Sequence, residues 1–97
     1  MVTQIRRYEL HPEHEAGFVE WWKAIPEMRK KYGFTVLSAY LDPVRHEFTW
    51  IVRHDGDLAA FEAAEKAWGT APERVVLFEG QPQHTSAIHV SLVDTVL

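Results

Sequence analysis

Four stretches of the chain alternate with a period of two, and the longer stretches between them repeat with the period of a helix. That order constrains the fold more than any other feature. Residues 2–10 place Val2, Gln4, Arg6, Tyr8 and Leu10 on one face and Thr3, Ile5, Arg7 and Glu9 on the other. Residues 34–42 set Phe34, Val36, Ser38 and Tyr40 against Thr35, Leu37, Ala39 and Leu41. Residues 47–54 set Phe48, Trp50, Val52 and His54 against Thr49, Ile51 and Arg53; a turn at Asp42-Pro43 joins these two runs. Residues 85–94 set Ile88, Val90 and Leu92 against Ala87, His89, Ser91 and Val93. Each run predicts a strand.

After the first strand, Phe18, Trp21, Trp22, Ile25, Met28 and Tyr32 share one helical face. Pro12 suits the first turn, Pro26 predicts a kink or a break, and Gly33 a C-cap. After the third strand, Asp57 is the expected N-cap of a helix whose buried face is Leu58, Phe61, Ala64 and Trp68. Thr70-Ala71-Pro72-Glu73 has the capping-box pattern and predicts a short helix over 71–79. The order is βαββαβ, an α+β, ferredoxin-like arrangement with both main helices on one face of a four-stranded antiparallel sheet. The 97 residues make one domain, 1–97.

A chain this short buries only ~60–65% of its unfolded surface. Neither face of the middle strands is read as polar, so a bare face rich in Val, Leu and aromatics is a large apolar patch. A second copy, sheet against sheet, covers it and gives a homodimer. The chain has no cysteine, which excludes disulfides and a cysteine nucleophile and fits a cytoplasmic protein. The net charge of −4, without clustered positive charge, argues against a nucleic-acid partner. No run approaches the ~20 apolar residues of a membrane span, so no membrane partner is expected. The opening MVTQIRRYEL carries charges where a signal peptide is apolar.

Three segments carry a family resemblance. Val2-Thr3-Gln4-Ile5-Arg6-Arg7-Tyr8-Glu9-Leu10-His11-Pro12 is similar to the opening strand of the NIPSNAP-like branch of the dimeric α+β barrel superfamily. Trp50-Ile51-Val52-Arg53-His54-Asp55-Gly56-Asp57-Leu58 resembles the family's strand that ends where the next helix starts. The Ile25-Pro26 step and Lys30-Lys31-Tyr32-Gly33-Phe34 resemble its first helix running into the second strand. The chain departs from the pattern at Gln4, where the family has Glu, and at His54, where it has an aromatic. The resemblance implies a dimeric α+β barrel. Among the superfamily's members are cofactor-independent monooxygenases of aromatic polyketides, cyclases and isomerases, and haem-binding enzymes. The haem-degrading members rely on an Asn-Trp-His set, and this chain has no Asn.

The candidate chemistry follows. Gln4, Arg6 and Tyr8 share a strand face; Arg6 suits a carboxylate or enolate and Tyr8 a proton or hydrogen bond. A structural network is the alternative reading of the same three residues. His89, expected at an interior position, is the preferred acid/base candidate, with His54 second. His84 is expected to face solvent, and His11 and His14 form a poor metal spacing, so no metal and no cofactor are expected. Gln4, Trp22, Tyr40, Trp50, Arg53 and Trp68 are the candidate substrate contacts; one of the adjacent Trp21 and Trp22 must lie at a cleft or rim. The expected function is a small dimeric enzyme of cyclase, isomerase or monooxygenase type on an apolar aromatic or polyketide-like substrate. The alternative is a non-catalytic dimer that binds a small ligand or a protein.

Overall fold

A computed structural model describes residues 1–97. The strands are β1 (Val2–Leu10), β2 (Phe34–Asp42), β3 (Glu47–His54) and β4 (Thr85–Val93). They form one antiparallel sheet in the order β2-β3-β1-β4, the ferredoxin-like topology.

The stretch after β1 is broken, as Pro26 requires. A single 3-10 turn (Pro12–His14) leads into α1 (Glu15–Trp22), and α2 (Ile25–Lys30) restarts with the proline in its first turn. Gly33 ends this unit at φ +88°, a backbone conformation that L side chains rarely adopt. A Cβ there would also sit 2.7 Å from the His54 ring. Asp57 caps α3 (Leu58–Gly69), accepting from the Ala60 N–H at 2.9 Å. Thr70 does not form the expected capping box: its hydroxyl donates back to the Lys66 and Ala67 carbonyls, and Ala71 is the N-cap of α4 (Pro72–Phe78). No helix is long and apolar enough to cross a membrane.

The core lies between the sheet and the helices. Tyr8, Leu10, Phe48, Trp50, Val52 and Phe34 point up from the strands; Phe18, Trp22, Ile25, Phe61 and Trp68 point down onto them. Phe18 is the hub of this aromatic packing, edge-on to Tyr8 and Phe48 at centroid separations of 5.9 and 5.1 Å.

Two expectations about strand faces change. In β2, Leu37 is an extra residue between the Val36–Val52 and Ser38–Ile51 pairs. This bulge inverts the alternation beyond it, so Ser38 and Tyr40 join the open face and Ala39 and Leu41 take the helix side. The open face is also more polar than expected. Arg7 pairs with Glu47 at 3.1 Å and His89 with Glu9 at 2.7 Å across it, among Thr3, Ile5, Thr49, Ile51 and Arg53. The exposed apolar stripe lies instead on the helix side of β4, where no helix covers Ile88, Val90 and Leu92.

Candidate functional site

A cleft of about 440 Å³ opens between the helices and the β1–β3–β4 part of the sheet. Its floor is built by strand alternation. Arg6 and Tyr8 of β1 and Trp50 of β3 rise side by side because all three occupy helix-side positions, with Arg6 opposite Trp50 in the register. Arg6 Nε donates to the Tyr8 hydroxyl oxygen at 2.8 Å, and Arg6 Nη1 donates to Gln4 Oε1 at 2.9 Å. The Tyr8 oxygen is thus an acceptor for Arg6, which leaves its own O–H to donate elsewhere. The Arg6 guanidinium lies 5.4 Å from the Trp50 ring.

A second arginine reaches the same floor from above. Arg29 of α2 is only 3% exposed. Its guanidinium lies 4.7 Å from the Phe34 ring, 5.1 Å from Trp50 and 5.5 Å from Trp68. Arg29 Nη1 donates to Glu65 Oε1 of α3 at 2.9 Å, and the other Glu65 oxygen lies 3.9 Å from Arg6. Burial lowers the Arg29 pKa while Glu65 raises it and Arg6 lowers it further. A guanidinium nevertheless stays charged.

The mouth carries the histidine of the site. His84, just before β4, stacks on Trp21 at 5.2 Å and meets Phe18 at 5.4 Å. Burial holds its imidazole below the ordinary value, and the facing His14 adds to the effect. Trp21, anchored through Nε1 to the Leu77 carbonyl, also packs on Phe78, so α4 and the following loop close the outer wall. Arg74 completes that wall, 4.1 Å from the Phe78 ring.

Because its folded pKa is depressed, His84 takes up a proton less readily in the folded chain than in the unfolded one. Its contribution to stability is full above the unfolded value of ~6.5 and is lost as pH falls from there through the folded pKa. The His84 ring is therefore expected to titrate below 6.5 by NMR, and His84→Gln to flatten the fall in urea midpoint on the acid side of that value.

The candidates from the sequence divide cleanly. Arg6, Tyr8, Trp22, Trp50 and Trp68 line the cleft, and Gln4 lies behind Arg6. Trp22 is buried while Trp21 takes the cleft wall. His89 is not interior: it lies on the opposite face of the sheet, half-exposed and bound to Glu9, so it cannot share a site with Arg6 and Tyr8. His54 has both ring nitrogens committed to backbone. Nδ1 accepts from the Gly56 N–H at 3.0 Å, which makes Nε2 the donor to the Tyr32 carbonyl at 3.2 Å. It clamps the start of α3 to the end of the first helical unit and lies outside the cleft. Tyr40, moved by the bulge, and Arg53 are on the open face, away from the cleft. His84, expected in solvent, is buried at the mouth.

Arg29, Glu65 and His84 were missed. Arg29 falls in phase with Phe18, Trp22 and Ile25, and Glu65 in phase with Phe61 and Trp68. Opposite charges set into two apolar stripes are a legible signal for a buried pair. His84 sits in an irregular segment and has no such signal.

No family model matches the chain, and no curated protein sequence does. Solved structures do. An uncharacterized NIPSNAP domain protein from Burkholderia xenovorans superposes with a TM-score of 0.81 at 8% identity, over 99% of this chain and 95% of that one. An antibiotic biosynthesis monooxygenase matches over all of both chains, with a TM-score of 0.69 at 18% identity. A dimeric ferredoxin-like protein from an uncultured marine organism matches with a TM-score of 0.61 at 10% identity, over 99% of this chain and 94% of that one. The fold implied by the opening strand and the Trp50–Leu58 segment is the one the chain has: the ferredoxin-like α+β fold shared by NIPSNAP domain proteins and antibiotic biosynthesis monooxygenases.

Proposed function

We propose that this chain is a NIPSNAP-like, cytoplasmic homodimer that works as a cofactor-independent enzyme on an apolar aromatic or polyketide-like substrate. One observation carries the reading: an arginine–tyrosine donor pair at the floor of an aromatic-walled cleft, with a histidine of lowered pKa at its mouth. A planar ring fits against Trp21, Trp22 and Phe18. Its carbonyl oxygen meets Arg6 and the free Tyr8 O–H, which stabilise negative charge there as a proton leaves a CH2 carbon conjugated with it. Neutral His84 takes that proton.

Two outcomes share this enolate. In isomerisation or cyclisation the proton returns to the product, with no net oxidation. In oxygen insertion, a substrate CH2 gives its four electrons to O2; one oxygen atom becomes the carbonyl and the other leaves as water. The antibiotic biosynthesis monooxygenase with the same fold favours testing the second first. The polar open face, with Ile5 and Ile51 at its centre, is the surface offered to the partner copy, in keeping with the dimeric neighbour.

The test is to incubate the protein with anthrone-type ketones, with and without oxygen, and follow products by mass spectrometry. Turnover should fall about 10²–10³-fold in Arg6→Gln. It should also decline on the acid side of ~6.5, as His84 gains a proton. Saturable quenching of tryptophan fluorescence with no product from any of them points to the non-catalytic ligand-binding dimer instead.

A further inference from the structure

The cleft differs in charge from the protein around it. The chain as a whole carries −4. The charged side chains lining the cleft are three guanidiniums, Arg6, Arg29 and Arg74, and one carboxylate, Glu65. Glu65 is shared between Arg6 and Arg29, so the floor alone keeps one positive charge in excess.

The hydrogen-bond inventory leans the same way. Five buried side-chain polar atoms have no hydrogen-bond partner, and all are N–H donors: Trp22 Nε1, Trp50 Nε1, and Nε of Arg29, Arg53 and Arg74. Four of these belong to residues that line the cleft. Trp22, Trp50 and Arg29 are all more than nine-tenths buried. Buried donors left without acceptors are costly. These nitrogens are themselves closed off from the cleft, so the part-exposed Arg6 is the group a ligand meets, and a ligand that brings negatively charged oxygen there offsets the excess charge.

We propose that the cleft takes its ligand as an aromatic acid, its carboxylate seated at the floor against Arg6 and Arg29 and its ring along the aromatic walls. This rests on the reading of the cleft as an aromatic-ligand site and adds the ionisation state and an acidic group, with the carboxylate on the Arg29 side of Arg6 and the reacting carbonyl on its Tyr8 side. Glu65 then sets the strength of the site: it holds Arg29 in place and at the same time reduces the field that the ligand's anion meets.

The experiment is isothermal titration of the folded protein, near pH 7.5, with 2-naphthoate and with its neutral counterpart 2-naphthamide. The acid is expected to bind roughly tenfold or more tightly than the amide, the scale of a hydrogen-bonded charge. Arg6→Gln should bring the two affinities together without abolishing amide binding. Glu65→Gln should tighten the acid and leave the amide unchanged. Equal affinities in the unmodified protein, or an acid preference that survives Arg6→Gln, overturn the assignment of the anion but leave the aromatic site standing. Binding of neither compound overturns both readings. The comparison of the two ligands uses the unmodified chain, so it decides the matter even if a variant fails to fold.

Discussion

Replacing Arg29 by alanine is expected to destabilise the fold by about 3 kcal/mol, the low end for removing one member of a buried ion pair. The low end is chosen because Glu65, the group left behind, is 28% exposed and can recover some water. On a domain of this size that lowers the thermal midpoint by roughly 15 °C. The loss has two parts. Charge removal leaves Glu65 facing Arg6 alone at 3.9 Å, and truncation empties the space under Phe34, Trp50 and Trp68. Arg29→Met separates them, because it keeps an apolar stem against the three rings. It should cost clearly less than the alanine. A double-mutant cycle with Glu65→Ala should show a coupling of about 0.5–3 kcal/mol by urea denaturation. A coupling near zero would mean that the aromatic platform alone holds Arg29.

Arg29 also shows where sequence reading stops. The four strands, the break at Pro26 and the Asp57 cap were legible because each rests on a local rule: period two, a missing donor, a side-chain acceptor. Half of the site was legible for the same reason, since Gln4, Arg6 and Tyr8 stand two residues apart on one strand. What failed was set by distant partners. A single extra residue at Leu37 turned Tyr40 to the other face, and nothing in the run Phe34–Asp42 marks it. His54 and His89 looked alike as strand histidines. One is locked between the Tyr32 carbonyl and the Gly56 N–H, the other rests on Glu9 across the open face. His84 came to the mouth only because the segment after α4 folds back over Trp21.

Trp50→Ala is expected to have the largest effect of any single change, about 3–5 kcal/mol, the usual range for emptying a buried aromatic site. Trp50 is 2% exposed, at the point where Tyr8, Trp22, Arg6 and Arg29 meet. Its loss leaves a cavity and takes the π-face from beneath both guanidiniums. A domain with the usual ~5–15 kcal/mol of stability then retains little, and the urea midpoint should fall sharply with an unchanged slope. Trp50→Phe should behave differently. It keeps a ring in the centre and removes Nε1–H, a buried donor without a partner whose burial costs about 1–3 kcal/mol. The smaller volume and the relieved donor oppose one another, so stability should change by only about 1 kcal/mol. Because that indole nitrogen is closed off from the cleft, Trp50→Phe should leave the preference for 2-naphthoate over 2-naphthamide standing. A protein that is stable, aromatic in its core and yet blind to the acid would tie the unpartnered donor to the ligand rather than to the fold.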